Sequence, residues 1–171
     1  MQDTVGPVER EARLALVEHD VRQKIDRHGF TIMGIFPSEG DGHPPFAYTV
    51  GLTVRKLPEL MITLSADVQF LATFLEKITE KFLEDPAGAF AHEVNPPFEG
   101  RLHFEVEDRT FTVLLKVIKS EHIYNFPPSF AYRLYGDDNV GLLQAVVPDD
   151  QGCYPHEEAF DPRIIQPVLY G

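Results

Sequence analysis

The sequence predicts one α+β domain, residues 1–171, with a mainly antiparallel sheet, an N-terminal helix and a second helix packed on one face. Two patterns predict this fold class. Several short segments alternate apolar and polar residues between turn clusters, as strands joined by hairpins do. Two longer segments repeat apolar residues at helical spacing. A chain of 171 residues, 43% of them hydrophobic, is long enough to bury one core.

Both helices are predicted from apolar spacing and from residues that begin or end a helix. The first carries four apolar residues on one face: Leu14, Val17, Val21 and Ile25. Gly29 follows where a C-terminal stop is expected. The second spans about residues 65–83 and begins near the capping residue Asp67. We expect it to place five apolar residues inward: Val68, Leu71, Leu75, Ile78 and Phe82.

The strands are predicted from β-branched, aromatic and alternating residues. They cover residues 30–36, 46–52, 58–64, 102–107, 110–119 and 141–147. The fourth and fifth form a hairpin that turns at Asp108 and Arg109. The fifth strand carries apolar residues on both faces, and Val117 is one of them. We therefore expect this strand to be central in the sheet and covered on both sides. Residues 129–135 are predicted as a short helix.

The charge balance narrows the classes of partner. The chain has 27 acidic and 15 basic residues and a formal charge of -12. Such a charge repels phosphate backbones and anionic membranes, so we expect no binding of nucleic acid or membrane. A basic protein partner or a small polar ligand fits the charge. The competing interpretation is that the acidity only keeps the protein soluble.

Cysteine usage and motif content bear on compartment and cofactors. Cys153 is the single cysteine, so no intramolecular disulfide is possible and a cytoplasmic location is expected. The chain has no run of about 18 apolar residues and no basic, apolar leader pattern. No nucleotide-binding loop and no His or Cys pair at zinc-binding spacing occurs. We therefore predict that the protein folds without a metal or cofactor, and leave its oligomeric state open.

The most informative segment for a site is residues 46–52. Ala47, Thr49 and Gly51 share one face of the predicted strand and form a small, hydroxyl-bearing surface. A ligand or another backbone could approach that surface closely. Eight residues are candidates for ligand binding: Tyr48, Thr49, Gly51, Glu59, Gln144, Asp149, Tyr154 and His156. We expect residues 46–52 to lie close to residues 144–156.

Each of these candidates also has a structural interpretation. Tyr48, Thr49, Gln144 and Gln166 could line a pocket, or could instead satisfy buried backbone groups. Glu59 lies between Pro58 and an apolar strand. It is either a surface acid at a strand start or a charge that needs a basic partner. The basic residues that could pair with Glu59 are Arg55, Lys56 and Arg133.

Reactive side chains suggest further alternatives. Cys153, His156 and Asp149 could supply the thiol, the base and the orienting acid of a catalytic triad. Residues this close together in an irregular loop seldom adopt the geometry that such a triad needs. His43, His122 or His156 could act as a general base beside Asp149 or Glu59. A third possibility is a cation on the stripe His103, Glu105 and Glu107, although such a stripe is more often the solvated side of a hairpin.

Several motifs together resemble a known family. They are His28-Gly29-Phe30 after a helix, the segment 46–52, Pro58-Glu59-Leu60, Gln144 before Pro148-Asp149, Gly152 with Tyr154-Pro155, and Gln166-Pro167-Val168-Leu169. This combination resembles the bacterial domain-of-unknown-function family numbered 4262 over nearly the whole chain. The resemblance supports the fold boundaries and implies no activity. The succession of Tyr-Thr-Val-Gly-Leu and Pro-Glu-Leu is also similar to immunity and partner-binding domains of the suppressor-of-fused kind.

Two functions follow from these observations. The first is a non-enzymatic binding module for a protein partner or a small polar ligand, with residues 48–51 and 154–156 near the contact. The second is a small hydrolase or transferase that uses a histidine and a carboxylate in a pocket lined by residues 48–51. A histidine and a carboxylate that converge in one concave pocket would favour the enzyme, and an acidic surface would favour the binding module.

Overall fold

The computed structural model describes residues 6–90 and 99–171 and contains one six-stranded sheet. The strands are β1 (Thr31–Ile35), β2 (Phe46–Val50), β3 (Glu59–Thr63), β4 (Glu99–Val106), β5 (Arg109–Val117) and β6 (Leu142–Val146). Their order across the sheet is β1-β2-β3-β6-β5-β4. Every neighbouring pair is antiparallel except β3 and β6. The predicted α+β class with a mainly antiparallel sheet is therefore confirmed.

Helix α2 (Val68–Glu84) covers one face of the sheet. The Asp67 side chain accepts hydrogen bonds from the Gln69 and Phe70 backbone N–H groups, which caps the first turn. All five residues predicted to point inward are buried, and Leu71, Leu75, Ile78 and Phe82 pack against Leu60 and Leu115 of the sheet. The short helix α3 (Pro86–Ala89) follows at once, because Pro86 cannot continue α2.

The opposite face of the sheet is covered by α1 (Pro7–His28), α5 (Ser129–Tyr135) and the C-terminal residues around Leu169. Helix α1 ends at Gly29 in the left-handed conformation, as predicted. Of its apolar stripe only Val21 is fully buried. A further short helix, α4 (Ser120–Ile123), follows β5. Among the described residues, no helix is both long and apolar enough to cross a bilayer.

Three strand predictions need correction. The strand predicted over residues 102–107 begins three residues earlier, because β4 spans Glu99–Val106. The predicted strand 46–52 ends at Val50, because Gly51 has φ 127° and the chain then forms a 3-10 turn over Leu52–Arg55. The predicted 110–119 strand ends at Val117, whose side chain is 52% exposed, so β5 is covered on both faces only at its centre. The hairpin turns one residue earlier than predicted, at Glu107 and Asp108, with Glu107 at φ 54°.

Candidate functional site

Strand register places several predicted site residues in one row across the sheet. Tyr48 lies opposite Met61, Met61 opposite Gln144, and Gln144 opposite Lys116. Residues that are directly opposite share a face, so this row faces α1, α5 and the C-terminal residues. Strands lie about 4.8 Å apart, so roughly 14 Å of sheet separates Tyr48 from Lys116.

Glu59 lies at the start of β3 and is fully buried. Its Oε2 accepts a hydrogen bond from Thr49 Oγ1 at 2.5 Å. Its Oε1 accepts from Gly51 N at 3.1 Å and from Thr53 N and Oγ1 at 2.9 and 2.7 Å. A carboxylate can accept several such bonds, and four donors here satisfy both oxygens. Glu59 therefore holds the end of β2 and the following 3-10 turn to the start of β3.

Both sequence interpretations of Glu59 are wrong. It is not a surface acid, and no described Lys or Arg forms a salt bridge with it. Arg133 instead pairs with Glu11 and Glu18 of α1. The donors that satisfy Glu59 belong to hydroxyls and backbone N–H groups, which sequence inspection could not place beside it.

The small face at Thr49 and Gly51 is filled by the protein's own chain. A Cβ built on Gly51 would lie 2.8 Å from the Gly29 carbonyl oxygen and 2.9 Å from the Phe30 Cα. Thr49 Oγ1 also accepts a hydrogen bond from Leu60 N at 2.8 Å. The close backbone approach that these residues predict is therefore made by the loop after α1. This contact, with a φ of 127°, explains why a glycine stands at position 51.

Tyr48 is fully buried beneath α5. Its hydroxyl accepts a hydrogen bond from Phe130 N at 3.0 Å, across 82 positions of sequence. Burial raises the pKa of Tyr48 to about 12, so the phenol stays protonated at neutral pH. Tyr48 thus fixes the start of α5 against the sheet.

The two glutamines hold the C-terminal residues to the sheet. Gln144 Nε2 donates to the Pro167 carbonyl at 2.7 Å, and its Oε1 accepts from Leu169 N at 2.9 Å. Gln166 bonds to the backbone of Val147 in the same way. Its Oε1 accepts from Val147 N at 2.9 Å, and its Nε2 donates to the Val147 carbonyl at 2.8 Å. Both side chains therefore satisfy buried backbone groups, which was one of the two interpretations.

Asp149 organises the loop that follows β6. Its carboxylate accepts hydrogen bonds from the N–H groups of Gln151, Cys153 and Asp161, each at 2.9 Å. Burial acts to raise the pKa of Asp149, but the three backbone donors outweigh it and hold the pKa below its usual range. Burial, with Asp149 and Glu157 nearby, raises the pKa of Cys153, so this loop does not favour the thiolate that cysteine catalysis needs.

Tyr154 and His156 belong to an aromatic cluster on the β5 side of the sheet. Their rings are parallel with centroids 5.9 Å apart, and the Tyr154 hydroxyl donates to the Thr112 carbonyl at 2.7 Å. His156 Nδ1 lies 2.7 Å from the Tyr170 hydroxyl, and burial raises the pKa of Tyr170 to about 12. The Lys116 ammonium lies 5.3 Å from the Tyr170 ring centroid.

A carboxylate with two basic partners adjoins this cluster. Glu99 forms ion pairs with Lys116 and Arg101. Burial acts to raise the pKa of Glu99, and the two basic partners outweigh it and lower the pKa. Lys116 is thus held between this carboxylate and the Tyr170 ring.

The predicted site residues therefore lie in separate groups. Thr49, Gly51 and Glu59 form one hydrogen-bonded group where β2 ends and β3 begins. Tyr154 and His156 form a second group beside β5, where the Tyr154 hydroxyl bonds to Thr112. The expected closeness of segments 46–52 and 144–156 holds only in part: Tyr48 and Gln144 lie in one row with Met61 between them, whereas Tyr154 lies beside β5, beyond β6. His122 contacts Glu121, and His156 contacts Tyr170; neither pairs with Asp149 or Glu59.

Of the three histidines considered as a general base, His43 lines a cavity. His43 borders a space of about 500 Å³ together with Pro44, Pro45, Ser65 and Ile165. Its Nδ1 lies 3.0 Å from the Pro44 carbonyl oxygen, and its Nε2 lies 3.9 Å from an Asp41 carboxylate oxygen. A carbonyl only accepts hydrogen bonds, so this contact makes Nδ1 the donor and leaves Nε2 as the acceptor in the neutral ring.

A larger groove lies at the outer end of the β4–β5 hairpin, where the sequence suggested either a cation site or the solvated side of a hairpin. Its volume is about 630 Å³. It is lined by His103, Phe104 and Glu105 of β4, Thr110, Phe111 and Thr112 of β5, and Lys81 of α2. The Phe104 and Phe111 rings stack with centroids 5.2 Å apart. Alternation along β4 could show which residues share a face, but not that the strand lies at the sheet edge beside α2.

Comparison with known proteins gives one match. A family model described as a domain of unknown function (DUF4262) matches residues 24–161. No curated protein and no solved structure matches the chain. The match covers all six strands of the sheet, α2 and the Asp149 loop, and leaves most of α1 and the C-terminal residues outside it. The chain belongs to the DUF4262 family of domains of unknown function.

Proposed function

We propose that the protein is a non-catalytic interaction module that binds a basic protein partner at the outer end of the β4–β5 hairpin. The observation that carries this proposal is the groove of about 630 Å³, because it combines accessible volume with aromatic and charged side chains. The polar residues at the centre of the sheet are already bonded to the protein's own groups.

Aromatic side chains give the groove a surface that can contribute affinity. The Phe111 ring lies 5.2 Å from Phe104 and 6.3 Å from Phe74, measured between centroids. Phe70 continues the row at 5.9 Å from Phe74 and is 56% exposed. Aromatic anchors contribute much of the affinity at protein interfaces. The four rings form a continuous row from the exposed face of α2 to the groove.

The charges at this end favour a basic partner. Glu105, Glu107 and Asp108 are exposed and lie within four positions of one another. Two bases lie near these acids: Arg109 is 3.9 Å from Asp150, and Lys81 of the groove lining is 3.0 Å from Glu84. The formal charge of -12 adds a long-range field that attracts cations and repels polyanions. Electrostatic steering of this kind raises the association rate and weakens as salt rises.

The test uses a displayed library of random peptides enriched in lysine and arginine, selected against the purified protein. We expect selected basic peptides to bind, and Glu105→Lys combined with Glu107→Lys to weaken that binding about 2- to 10-fold, as exposed charges do. The matched control is Glu39→Lys combined with Glu158→Lys, which reverses the charge of two exposed acids outside the groove lining. If both double variants lose the same affinity for the peptides, the loss comes from the net charge and not from the groove. Failure to select any basic peptide would contradict the proposal.

A second candidate is a small hydrolase or transferase with His43 as general base. It is favoured by one observation, the acceptor Nε2 of His43 beside Asp41 at the cavity of about 500 Å³. The pocket begins just before β2 and not along residues 48–51. A panel of activated esters and phosphate esters tests it: turnover that His43→Gln abolishes and His19→Gln leaves unchanged would support catalysis. No turnover above buffer in the unsubstituted protein would contradict it.

A further inference from the structure

We infer that the cavity bordered by His43 binds a small organic amine through its ammonium group, a binding role that neither candidate function includes. The cavity has a volume of about 500 Å³, which lies within the range of pockets that hold small ligands. It shares no lining residue with the groove at the β4–β5 hairpin. Binding at the cavity therefore stands or fails independently of a partner at the hairpin.

The His43 ring is held in one orientation by its neighbours. Its centroid lies 5.0 Å from that of Phe126 and 6.2 Å from that of Phe46, and its Nδ1 contacts the Pro44 carbonyl oxygen. Nε2 is then the acceptor of the neutral ring, and no described residue forms a hydrogen bond with it. The side chain is only 18% exposed. An acceptor that is already fixed in this way loses little freedom when a ligand binds it.

An acidic group beside this acceptor selects the charge of the ligand. An Asp41 carboxylate oxygen lies 3.9 Å from Nε2. The same oxygen accepts a hydrogen bond from Ser38 N at 2.6 Å and has a second lone pair for a ligand. Each hydrogen bond spans about 2.9 Å, so one nitrogen atom can reach both acceptors. An ammonium has three N–H donors and a positive charge, whereas Asp41 repels an anionic ligand.

The other walls of the cavity suit an apolar group attached to the ammonium. Pro44, Pro45 and Ile165 line the cavity, and Ile165 is 58% exposed. Hydrogen bonds join these walls to the sheet and to the start of α2. Thr63 Oγ1 donates to the Pro45 carbonyl at 3.2 Å, and Ser65 N donates to the Ile165 carbonyl at 2.8 Å. The cavity is therefore preformed, and apolar carbon buried against these side chains adds affinity.

The experiment compares three probes with the same apolar body: 2-phenylethylamine, 2-phenylethanol and phenylacetate. Each is titrated into the ¹⁵N-labelled full chain, and the amide chemical shifts are followed. We expect the amine to shift the amides that line the cavity, those of Gly42, Ser65, Ala66 and Ile165, and to leave the amides of the hairpin groove unchanged. A ligand of this size should have a dissociation constant of about 0.1 to 10 mM. The alcohol should bind at least about fivefold more weakly, and phenylacetate should give no saturable shift.

Two substitutions test the pair of acceptors. Asp41→Asn removes the charge and keeps an oxygen that can accept from Ser38 N, so we expect the loop to persist and amine binding to weaken at least about fivefold. Glu39→Gln makes the same change of charge at an exposed acid of the same loop and should change binding by less than about twofold. His43→Phe keeps a ring beside Phe126 and removes Nε2, so it should also weaken binding at least about fivefold.

A lysine side chain of a protein carries the same ammonium, so the fourth probe is Nα-acetyl-lysine methylamide. Tighter binding of this probe than of 2-phenylethylamine would assign the cavity to a protein's lysine and overturn a free amine as the ligand. Equal weakening by Asp41→Asn and Glu39→Gln, saturable binding of phenylacetate at the same amides, or no saturable shift with the amine would also overturn it. Each of these results leaves the proposed partner at the hairpin untouched.

Discussion

The centre of the sheet and the outer end of the β4–β5 hairpin contain similar residues and differ in what surrounds them. At the centre, Glu59 is fully buried and its oxygens accept four hydrogen bonds from the protein itself. At the hairpin end, Glu105 is exposed beside a groove. A carboxylate is therefore structural in one region and available to a partner in the other. The difference teaches that a polar residue in an unusual motif is not by itself a binding residue.

The largest expected effect comes from removing the Glu59 carboxylate. Glu59→Ala leaves the N–H groups of Gly51 and Thr53 and the Thr49 hydroxyl without their acceptor. Each buried group that loses its partner costs about 1 to 3 kcal/mol, so for these three groups we expect a loss of roughly 3 to 9 kcal/mol in the free energy of unfolding, measured by urea denaturation. Glu105→Ala is the control and should change it by less than about 0.5 kcal/mol. Equal losses in the two variants would remove the contrast between the regions.

Two aliphatic residues of β5 extend the comparison to apolar side chains. Leu115 is fully buried beneath α2, whereas Val117, two residues later, is 52% exposed. We expect Leu115→Ala to lower the free energy of unfolding by about 2 to 5 kcal/mol. Val117→Ala should lower it by less than about 1 kcal/mol. A thermal midpoint for Leu115→Ala within error of the unsubstituted protein would show that the core assignment is wrong.

A hydroxyl deletion sharpens the comparison at the centre. Tyr48→Phe removes the acceptor of Phe130 N and should cost about 1 kcal/mol, measured by urea denaturation. Tyr124→Phe is the control. Because Tyr124 is 90% exposed, removal of its hydroxyl should not change the free energy of unfolding detectably. In an ultraviolet titration, Tyr48 should ionise near pH 12 while an exposed tyrosine ionises near pH 10. Ionisation of every tyrosine near pH 10 would contradict the burial of Tyr48.

The smallest expected effect is confined to acid pH. Folding lowers the pKa of Asp149, so its contribution to stability is present above the unfolded pKa near 3.9 and is lost as pH falls through the folded pKa. Asp149→Asn should therefore make stability fall less steeply with pH below about pH 4. Arg163 lowers the pKa of Asp161 to about 2, and this second acid-sensitive group remains in the variant. The same slope in Asp149→Asn and in the unsubstituted protein would contradict the role of Asp149.

Local patterns determined most of the fold. The five inward residues of α2 are buried as their spacing predicts, because a helix on a sheet must turn one apolar face inward. Gly29 ends α1 because a left-handed residue is needed there. The strand ends were less predictable: Gly51 leaves β2 early because Glu59, eight positions later, holds its N–H.

Tertiary structure alone decided the role of each polar residue. The sequence shows that Thr49, Glu59 and Gln144 are unusual for their segments, but their partners are 6 to 25 positions away and come from the turn after β2, from strand pairing and from the C-terminal residues. The sequence also marks His103, Phe104 and Glu105 as an alternating strand. Only the sheet order places that strand at an edge, because edge position depends on which strands pair and not on any property of one strand.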